Sequence, residues 1–290
     1  MRRRPRRERP RPGPAARRTD VGAGDGRGTA GPAGEAARRR AAEAPRRRHG
    51  RRRRKGGRPG SPDPVRPSPH PPVGPGGRPV TWHDDPYALA LRAGRGPLFM
   101  RRADGGRFPL DVERWCAGTD AADRSVLARC RGAVLDVGCG PGRLVAALSE
   151  RGHRTLGIDI SAEAVAETRR RGGMALCRSV FEPIPGTGRW TTALLIDGNI
   201  GIGGDIAALL RRMTELTAQD GRLIAEADPA EVDERHVVCL DDGGGLGAPF
   251  PWARAGVAAL IRHAVTAGWF PAGEWSVAER QFVELARPVH

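Results

Sequence analysis

The feature that most restricts the fold of this chain is a short apolar strand that runs into a glycine-rich loop and then into a helix. Residues 133–137 read AVLDV and are followed by GCGPG at residues 138–142. The next residues place four apolar side chains on one helical face: Leu144, Val145, Ala147 and Leu148. Glycines between a buried strand and a helix let the backbone turn sharply and leave free N–H groups at the helix N-terminus. The pattern predicts one strand–loop–helix unit of a parallel sheet.

Apolar runs and helical patterns continue to alternate after this unit, which predicts an α/β fold. Strands are predicted at residues 155–160, 174–180, 192–196 and 222–226, and helices at 161–171, with Ser161 as N-cap, and at 205–216. A turn is predicted at 219–221. Later strands are predicted at 235–240 and 281–286 around a helix at 255–267 that ends at Gly268. Upstream, short helices at 87–91 and 110–115 are expected within an N-terminal cover, residues 81–130, over the open edge of the sheet.

The positive charge of the chain is confined to its first 80 residues. They hold 24 Arg or Lys and 6 acids, a net +18, whereas the other 210 residues hold 25 and 27, a net −2. The first 80 residues contain no Ile, Leu, Phe, Trp, Tyr or Cys. Such a segment buries too little apolar surface to offset its ordering entropy, so residues 1–80 are predicted to be a disordered tail and residues 81–290 one domain. The tail either contacts nucleic acid or another polyanion, or is an extension without a partner.

The cysteines argue against a disulfide framework and a metal site. Five cysteines are widely spaced and form no C-x-x-C pair: Cys116, Cys130, Cys139, Cys177 and Cys239. The spacing of His83, His153, His236 and His263 is not typical of a metal site or a catalytic triad. No run of 18 apolar residues is present, and no apolar segment follows the basic start. A reduced, cytoplasmic protein without membrane contact is therefore expected; the oligomeric state is left open.

Two acids near the glycine loop bear on whether it binds a ligand. Asp136 precedes the first glycine by two residues, and Asp159 ends the next predicted strand, 17 residues after Gly142. A carboxylate at that second strand end can accept hydrogen bonds from both hydroxyls of an adenosine ribose. A tight turn without a ligand is the simpler reading of the glycines alone. The two acids together favour a cofactor site.

The arrangement D-x-G-x-G-x-G with an acid after the next strand resembles the class I S-adenosylmethionine-dependent methyltransferase family over residues 133–228. The segment LLIDGNIGIGGD, residues 194–205, is also similar to a group of actinobacterial methyltransferase-domain proteins. The resemblance implies a Rossmann-like, doubly wound, mostly parallel seven-stranded sheet with an antiparallel C-terminal hairpin. The strand–helix–strand pattern after Asp228 suits that hairpin.

The resemblance also implies which residues bind S-adenosyl-L-methionine. Against the methionine end would lie Asp136, Gly138, Cys139, Gly140, Pro141 and Gly142. Asp159 would take the ribose hydroxyls, and Ile160 would pack on the adenine. No acid or amide follows the third strand, so the Ser179 hydroxyl or a backbone N–H such as that of Val180 would meet the adenine. Asp197 and Asn199 would line the sulfonium and the acceptor, although both side chains could instead cap the following turn.

The resemblance therefore implies an enzyme that transfers a methyl group to an O, N or C nucleophile of a small molecule. Asp197 is the first candidate for a general base. The D/N/S-P-P-Y/F motif of nucleic-acid amino-methyltransferases is absent after the fourth strand, which disfavours a base amine as acceptor. Tyr87, Arg92, Trp115 and Trp252 are candidate acceptor-pocket residues, with ordinary packing as the alternative for each.

Two other functions stay open. A nicotinamide-dependent oxidoreductase would use a similar loop but needs the spacing G-x-G-x-x-G, which this chain lacks. A catalytically silent cofactor-binding protein, anchored to nucleic acid by the basic tail, is the second.

Overall fold

The computed structural model describes residues 85–288. The predicted tail, residues 81–84 at the start of the predicted domain and the last two residues lie outside the described residues. The predictions of tail disorder and of polyanion contact fall there as well.

The described residues form seven α-helices and eleven strands. In chain order they are α1 (Pro86–Ala93), β1 (Phe99–Arg102), β2 (Arg107–Pro109), α2 (Val112–Cys116), α3 (Ala121–Leu127), β3 (Val134–Val137), α4 (Arg143–Glu150), β4 (Thr155–Asp159), α5 (Ala162–Arg170), β5 (Ala175–Cys177), β6 (Trp190–Leu195), α6 (Ile206–Leu216), β7 (Thr217–Ala227), β8 (Asp233–Asp241), β9 (Phe250–Ala255), α7 (Val257–Thr266), β10 (Phe270–Val277) and β11 (Arg280–Ala286). A short 3-10 helix, Asn199–Gly201, follows β6.

The larger sheet has seven strands in the order β10-β11-β7-β6-β3-β4-β5. The five neighbouring strands β7, β6, β3, β4 and β5 are parallel to one another. Strand β11 pairs antiparallel with β7, and β10 pairs antiparallel with β11 at the edge of the sheet. This arrangement confirms the predicted Rossmann-like fold. The chain runs from β3 outward to β4 and β5 and then returns to β6 on the other side of β3. In such sheets ligands bind where the strand order reverses, at the carboxyl ends of the strands.

Both faces of this sheet are covered, which explains the continuous apolar run of β6. Leu195 packs with Leu209 and Trp269 in one core cluster. Leu194, its neighbour, packs with Leu148 and other residues in the cluster on the opposite face. Because side chains alternate along a strand, a strand buried on both faces must be apolar at every position. The parallel core is therefore the part of the fold that the sequence predicts most directly.

The predicted C-terminal hairpin is present, but the strand predicted at residues 235–240 is not part of it. The predicted strand 235–240 is part of β8, which belongs to a second sheet of order β2-β1-β8-β9. The hairpin partner of β11 is β10. The two strands join through Ala278 and Glu279, whose φ angles are +50° and +64°. Such turns usually carry Gly or Asn, so these two residues gave no hairpin signal.

Two further sequence predictions need correction. Residues 219–221 do not form a turn before β7 but a bulge within it, because Trp190 pairs with Thr217 and Thr192 with Arg222. The N-terminal cover contains the two predicted helices, α1 and α2, and also the unpredicted β1–β2 hairpin and α3. It does not lie only at the open edge, since Arg114 of α2 reaches Asp197 at the carboxyl end of β6. In residues 85–288 no helix combines the length and apolarity needed to cross a bilayer.

Candidate cofactor site

The glycine loop takes the backbone shape that its sequence predicts. Gly138, Gly140 and Gly142 have φ angles of +72°, +53° and +82°. A Cβ at Gly138 would lie 2.6 Å from the side-chain nitrogen of Asn199, and one at Gly142 would lie 2.5 Å from the Thr168 side chain. Both positions therefore need glycine for conformation and for space. Gly142 precedes α4 directly, so the loop opens onto the N-terminus of that helix.

The remaining loop residues hold the turn in place. Cys139 is buried, and its N–H and that of Gly138 both donate to the carbonyl of Ile158. Burial raises the pKa of the Cys139 thiol well above its usual range, so the thiol stays protonated. Pro141 occupies the turn before α4, where its missing N–H leaves no unpaired donor.

Asp159 links the end of β4 to the glycine loop. Its carboxylate accepts hydrogen bonds from the N–H of Gly140 at 2.9 Å and from the N–H of Ser161 at 2.8 Å. Burial raises the pKa of this carboxyl to about 6, and the backbone N–H donors oppose that rise. The acid predicted from sequence is thus beside the loop, with its oxygens already positioned by the backbone.

Asp136 is buried with one oxygen unpaired. The side chain is 3% exposed, and its Oδ2 atom has no hydrogen-bond partner among the described residues. Burial raises the pKa of this carboxyl to about 7. A buried carboxylate without a donor is costly, so this atom marks a place where a ligand that donates a hydrogen bond would be stabilised.

Asn199 joins the end of β6 to the glycine loop. Its side-chain amide donates to the carbonyl of Val137 at 3.0 Å and to that of Gly138 at 2.9 Å. The amide therefore holds the residues at which β3 enters the glycine loop. It does so from the segment after β6, the strand on the other side of the switch point.

Asp197 is held by three arginines. Its carboxylate contacts Arg114 at 2.6 Å, Arg143 at 2.6 Å and Arg280 at 3.1 Å. Its backbone has φ +59°, uncommon for a residue other than glycine, and its N–H donates to Glu226 at 2.7 Å. Burial favours the protonated form, but the arginines outweigh it and lower the pKa of this carboxyl. These surroundings do not support the predicted role of Asp197 as a general base; they make it an anchor for positive side chains.

The arginines extend this contact into a buried ionic network. Arg143 pairs with Asp123 through two hydrogen bonds, at 2.8 and 2.9 Å, and Arg280 pairs with Asp123 and Glu226. Burial opposes the ionisation of Asp123, yet these arginines lower its pKa to about 2. Sequence reasoning missed the three arginines. Only Arg143 stood near a motif, while the others reach the site from the cover and from the C-terminal hairpin.

The residues predicted to meet an adenine lie next to one another. Ile160, directly after Asp159, is 51% exposed, which leaves an apolar surface for a ring. Arg178 donates its N–H to the carbonyl of Asp159, so the segment after β5 runs beside the end of β4. Ser179 donates its N–H to Glu182, and its hydroxyl accepts from the N–H of Phe181. Val180 is a core residue, so only its backbone is available to a ligand.

The four candidate acceptor-pocket residues have different surroundings. The hydroxyl of Tyr87 lies 3.4 Å from the Cβ position of Gly140, over the glycine loop. The ring of Tyr87 meets that of Trp115 edge to face, with centroids 6.2 Å apart. Arg92 pairs with Glu163 at 3.4 Å on the surface. Trp252 lines a cavity next to Asp197. No group of acids, histidines or cysteines able to hold a metal occurs within the described range 85–288.

The fold belongs to a recognisable class: a Rossmann-like α/β domain whose glycine loop and flanking acids lie together at the switch point. Residues 134–221 match the family model of a methyltransferase domain. Over these residues the chain is similar to methyltransferase domains. The match covers the glycine loop, both acids and the end of β6.

Solved structures are similar to this chain. A SAM-dependent methyltransferase from Bacteroides fragilis in complex with S-adenosyl-L-homocysteine has 20% sequence identity and a TM-score of 0.60, over 71% of this chain and 95% of that one. The 1,6-didemethyltoxoflavin-N1-methyltransferase from Burkholderia thailandensis has 21% identity and a TM-score of 0.45, over 58% of this chain and 79% of that one. The first similarity supports the fold described above.

Proposed function

We propose that this chain is an enzyme that transfers the methyl group of S-adenosylmethionine to a nucleophile of a small molecule. The observation that carries the proposal is the glycine loop at the switch point, bounded by Asp159 and by the unpaired buried oxygen of Asp136. A cofactor that donates a hydrogen bond toward Asp136 and hydroxyls toward Asp159 would suit both acids. The Bacteroides fragilis structure, which has the same fold, contains the demethylated product of that cofactor.

The residues of the site divide into two groups by the part of the cofactor that they would hold. Asp136 and the backbone of the glycine loop, including Cys139 and Pro141, would hold the methionine end. Asp159 would accept the ribose hydroxyls through lone pairs that its two N–H donors leave open. Ile160 would pack on the adenine, with the backbone of residues 179–180 at its edge.

S-adenosylmethionine supplies a methyl carbon on a positive sulfonium. When bound, the sulfonium would release that carbon to a nucleophile with a free lone pair and would keep the electron pair of the broken carbon–sulfur bond. The protein residues need to orient the acceptor and exclude water, since well-aligned reactants gain roughly 7 to 11 kcal/mol from proximity. Asn199 and Asp197 would serve as positioning residues, because both tie the end of β6 to the elements around it.

A small-molecule acceptor is favoured by the space beside this site. A cavity of about 180 Å³ adjoins Asp197 and Gly198. This volume is below the roughly 300 to 1,000 Å³ typical of pockets for drug-sized ligands, so the cavity suits only a compact acceptor.

Calorimetric titration of the full chain with S-adenosylmethionine, S-adenosylhomocysteine and NAD⁺ tests the proposal. We expect binding of the first two and none of NAD⁺. Asp159→Asn should lower the affinity for S-adenosylhomocysteine by about tenfold. The amide has one oxygen and cannot accept hydrogen bonds from both backbone N–H groups and from the ribose. Asp220→Asn, at an exposed position outside the site, serves as the matched control. Lack of binding by either adenosyl compound would overturn the proposal, and so would selective binding of NAD⁺.

A further inference from the structure

The cavity beside Asp197 is lined by two different parts of the fold. Ile200, in the segment after β6, and Ala227, at the end of β7, form one wall. Met100 and Phe108 line it from the four-stranded sheet. These side chains are apolar, so the cavity favours a ligand whose body is apolar as well.

The charged side chains that the lining takes from the second sheet and its neighbourhood are paired with one another. Asp228 accepts hydrogen bonds from the N–H of Ala230 at 2.9 Å and from the guanidinium of Arg254 at 2.7 and 3.0 Å. Arg254 also donates to Glu234 at 3.1 Å. Both charges are therefore already compensated within the protein, and a charged ligand would have to compete with these contacts.

The charges at the ends of β6 and β7 are paired in the same way. Glu226 accepts from the N–H of Asp197 at 2.7 Å and from Arg280 at 2.8 Å. At its centre, the network behind the cavity joins three arginines to three acids: Arg114, Arg143 and Arg280 to Asp123, Asp197 and Glu226. Since neither sign is in excess, a charged ligand would lose its hydration here without gaining a partner.

Trp252 adds a polar group of a different kind to the lining. The ring of Trp252 meets that of Phe250 edge to face, and its Nε1 atom would lie 2.5 Å from a Cβ at Gly201. The indole N–H has no hydrogen-bond partner among the described residues. An indole N–H can only donate, so a ligand atom that satisfies it is a hydrogen-bond acceptor.

We propose that this cavity binds the methyl acceptor and selects a compact, uncharged aromatic compound with a hydrogen-bond acceptor that the Trp252 indole N–H binds. The inference rests on the proposed function, because it places the compound next to the methyl group. Met100 and Phe108 would contact the aromatic ring. Among the described residues, the lining includes no histidine and no unpaired carboxylate. The nucleophile would therefore react through a lone pair that is free without proton transfer to the protein.

Three probes of matching shape test the charge preference: acetophenone, which is neutral, benzamidine, which is a cation, and benzoate, which is an anion. Ligand-detected NMR measures their affinity for the full chain saturated with S-adenosylhomocysteine at neutral pH. We expect acetophenone to bind about tenfold or more tighter than either charged probe, because only the charged probes leave a buried charge without a partner. Equal or tighter binding of benzamidine or benzoate would overturn the inference, and so would no binding of acetophenone.

A fourth probe, α-methylstyrene, has the same shape as acetophenone but no hydrogen-bond acceptor. Trp252→Phe keeps an aromatic ring and removes the N–H, so it should lower the affinity for acetophenone by about fivefold and leave that for α-methylstyrene unchanged. An unchanged affinity for acetophenone, or equal losses for both probes, would contradict a role of the indole N–H.

A second pair of variants locates the bound probe. Met100→Trp should fill the cavity and abolish acetophenone binding, whereas Leu246→Trp, at an exposed residue outside the lining, should not change it. Acetophenone binding that survives in Met100→Trp would place the probe elsewhere and overturn the inference. Titration of each variant with S-adenosylhomocysteine shows that it is folded. Because that titration of the unchanged chain also tests the proposed function, a failure of the cavity inference is distinguishable from a failure of the function.

Discussion

The side-chain amide of Asn199 donates a hydrogen bond of 2.9 Å to the backbone carbonyl of Gly138, and so connects the end of β6 to the first residue of the glycine loop. The two residues are 61 positions apart in sequence. The contact spans the switch point of the sheet, where the proposed cofactor and acceptor would meet. The amide is therefore a structural link between the two halves of the site.

Replacing this amide by an acid should weaken the loop. In Asn199→Asp the carboxylate faces two carbonyl oxygens and cannot donate to either, so we expect a loss of about 1 to 3 kcal/mol in the free energy of unfolding. Affinity for S-adenosylhomocysteine should fall about tenfold, measured by calorimetry. Gln219→Glu makes the same change of amide to acid at an exposed position and should alter neither quantity. A variant with wild-type affinity would show that the loop does not depend on Asn199.

Steric space at the third glycine can be separated from its backbone conformation. Gly142 and Gly152 both have φ +82°, but a Cβ at Gly142 would lie 2.5 Å from Thr168, whereas one at Gly152 meets nothing within 4 Å. Gly152→Ala should therefore cost about 1 kcal/mol of stability for the left-handed conformation, and Gly142→Ala about 2 to 4 kcal/mol. Denaturant unfolding measures both. Equal losses would mean that Thr168 moves aside without cost.

The sequence predicted the parallel core and the glycine loop because local patterns specify both. Strands such as β3, β4 and β6 are short apolar runs, and the loop that follows β3 needs glycines in a fixed order. Ser161 caps its helix as predicted, by accepting from the N–H of Ala164. Each of these features depends on residues close together in the chain.

The missed features depend on distant residues or on atypical turns. The second sheet includes β2, which is only three residues long, and β1, with two arginines in four residues. Neither shows a clear alternation of apolar and polar residues. The contact of Arg114 with Asp197 joins residues 83 positions apart, and a lone arginine among many gives no sign of its partner. Arg114 is one of the three arginines that lower the pKa of Asp197, and sequence alone could not have shown this contact.

The buried Asp136 should make the protein less stable as the pH rises. Its folded pKa of about 7 lies above the value of 3.8 for a free Asp, so between these values the folded state binds more protons and stability falls with increasing pH. Asp136→Asn cannot ionise and should be more stable than the wild type at pH 8, by up to about 4 kcal/mol, with a smaller advantage at pH 5. The same variant should bind S-adenosylmethionine more weakly, because the amide is a poorer acceptor. Urea unfolding at the two pH values tests the first point and calorimetry the second; an advantage that does not depend on pH would contradict the raised pKa.

The pair formed by Arg143 and Asp123 should matter more than any surface ion pair. Their side chains are 4% and 0% exposed, and removing one partner of a buried pair leaves a charge without compensation, at a cost of about 3 to 5 kcal/mol. Arg143→Met should show a loss of this size in urea unfolding, whereas Arg170→Met, which removes an exposed arginine paired with Glu167, should show no measurable loss. Unfolding at low pH provides a second measurement. The pKa of Asp123, about 2 in the wild type, is below that of a free Asp, so its contribution to stability is present at neutral pH and is lost only as the pH falls toward 2. Without Arg143 that pKa should rise, and the midpoint of acid unfolding should move to higher pH; an unchanged midpoint would mean that Arg280 alone keeps Asp123 ionised.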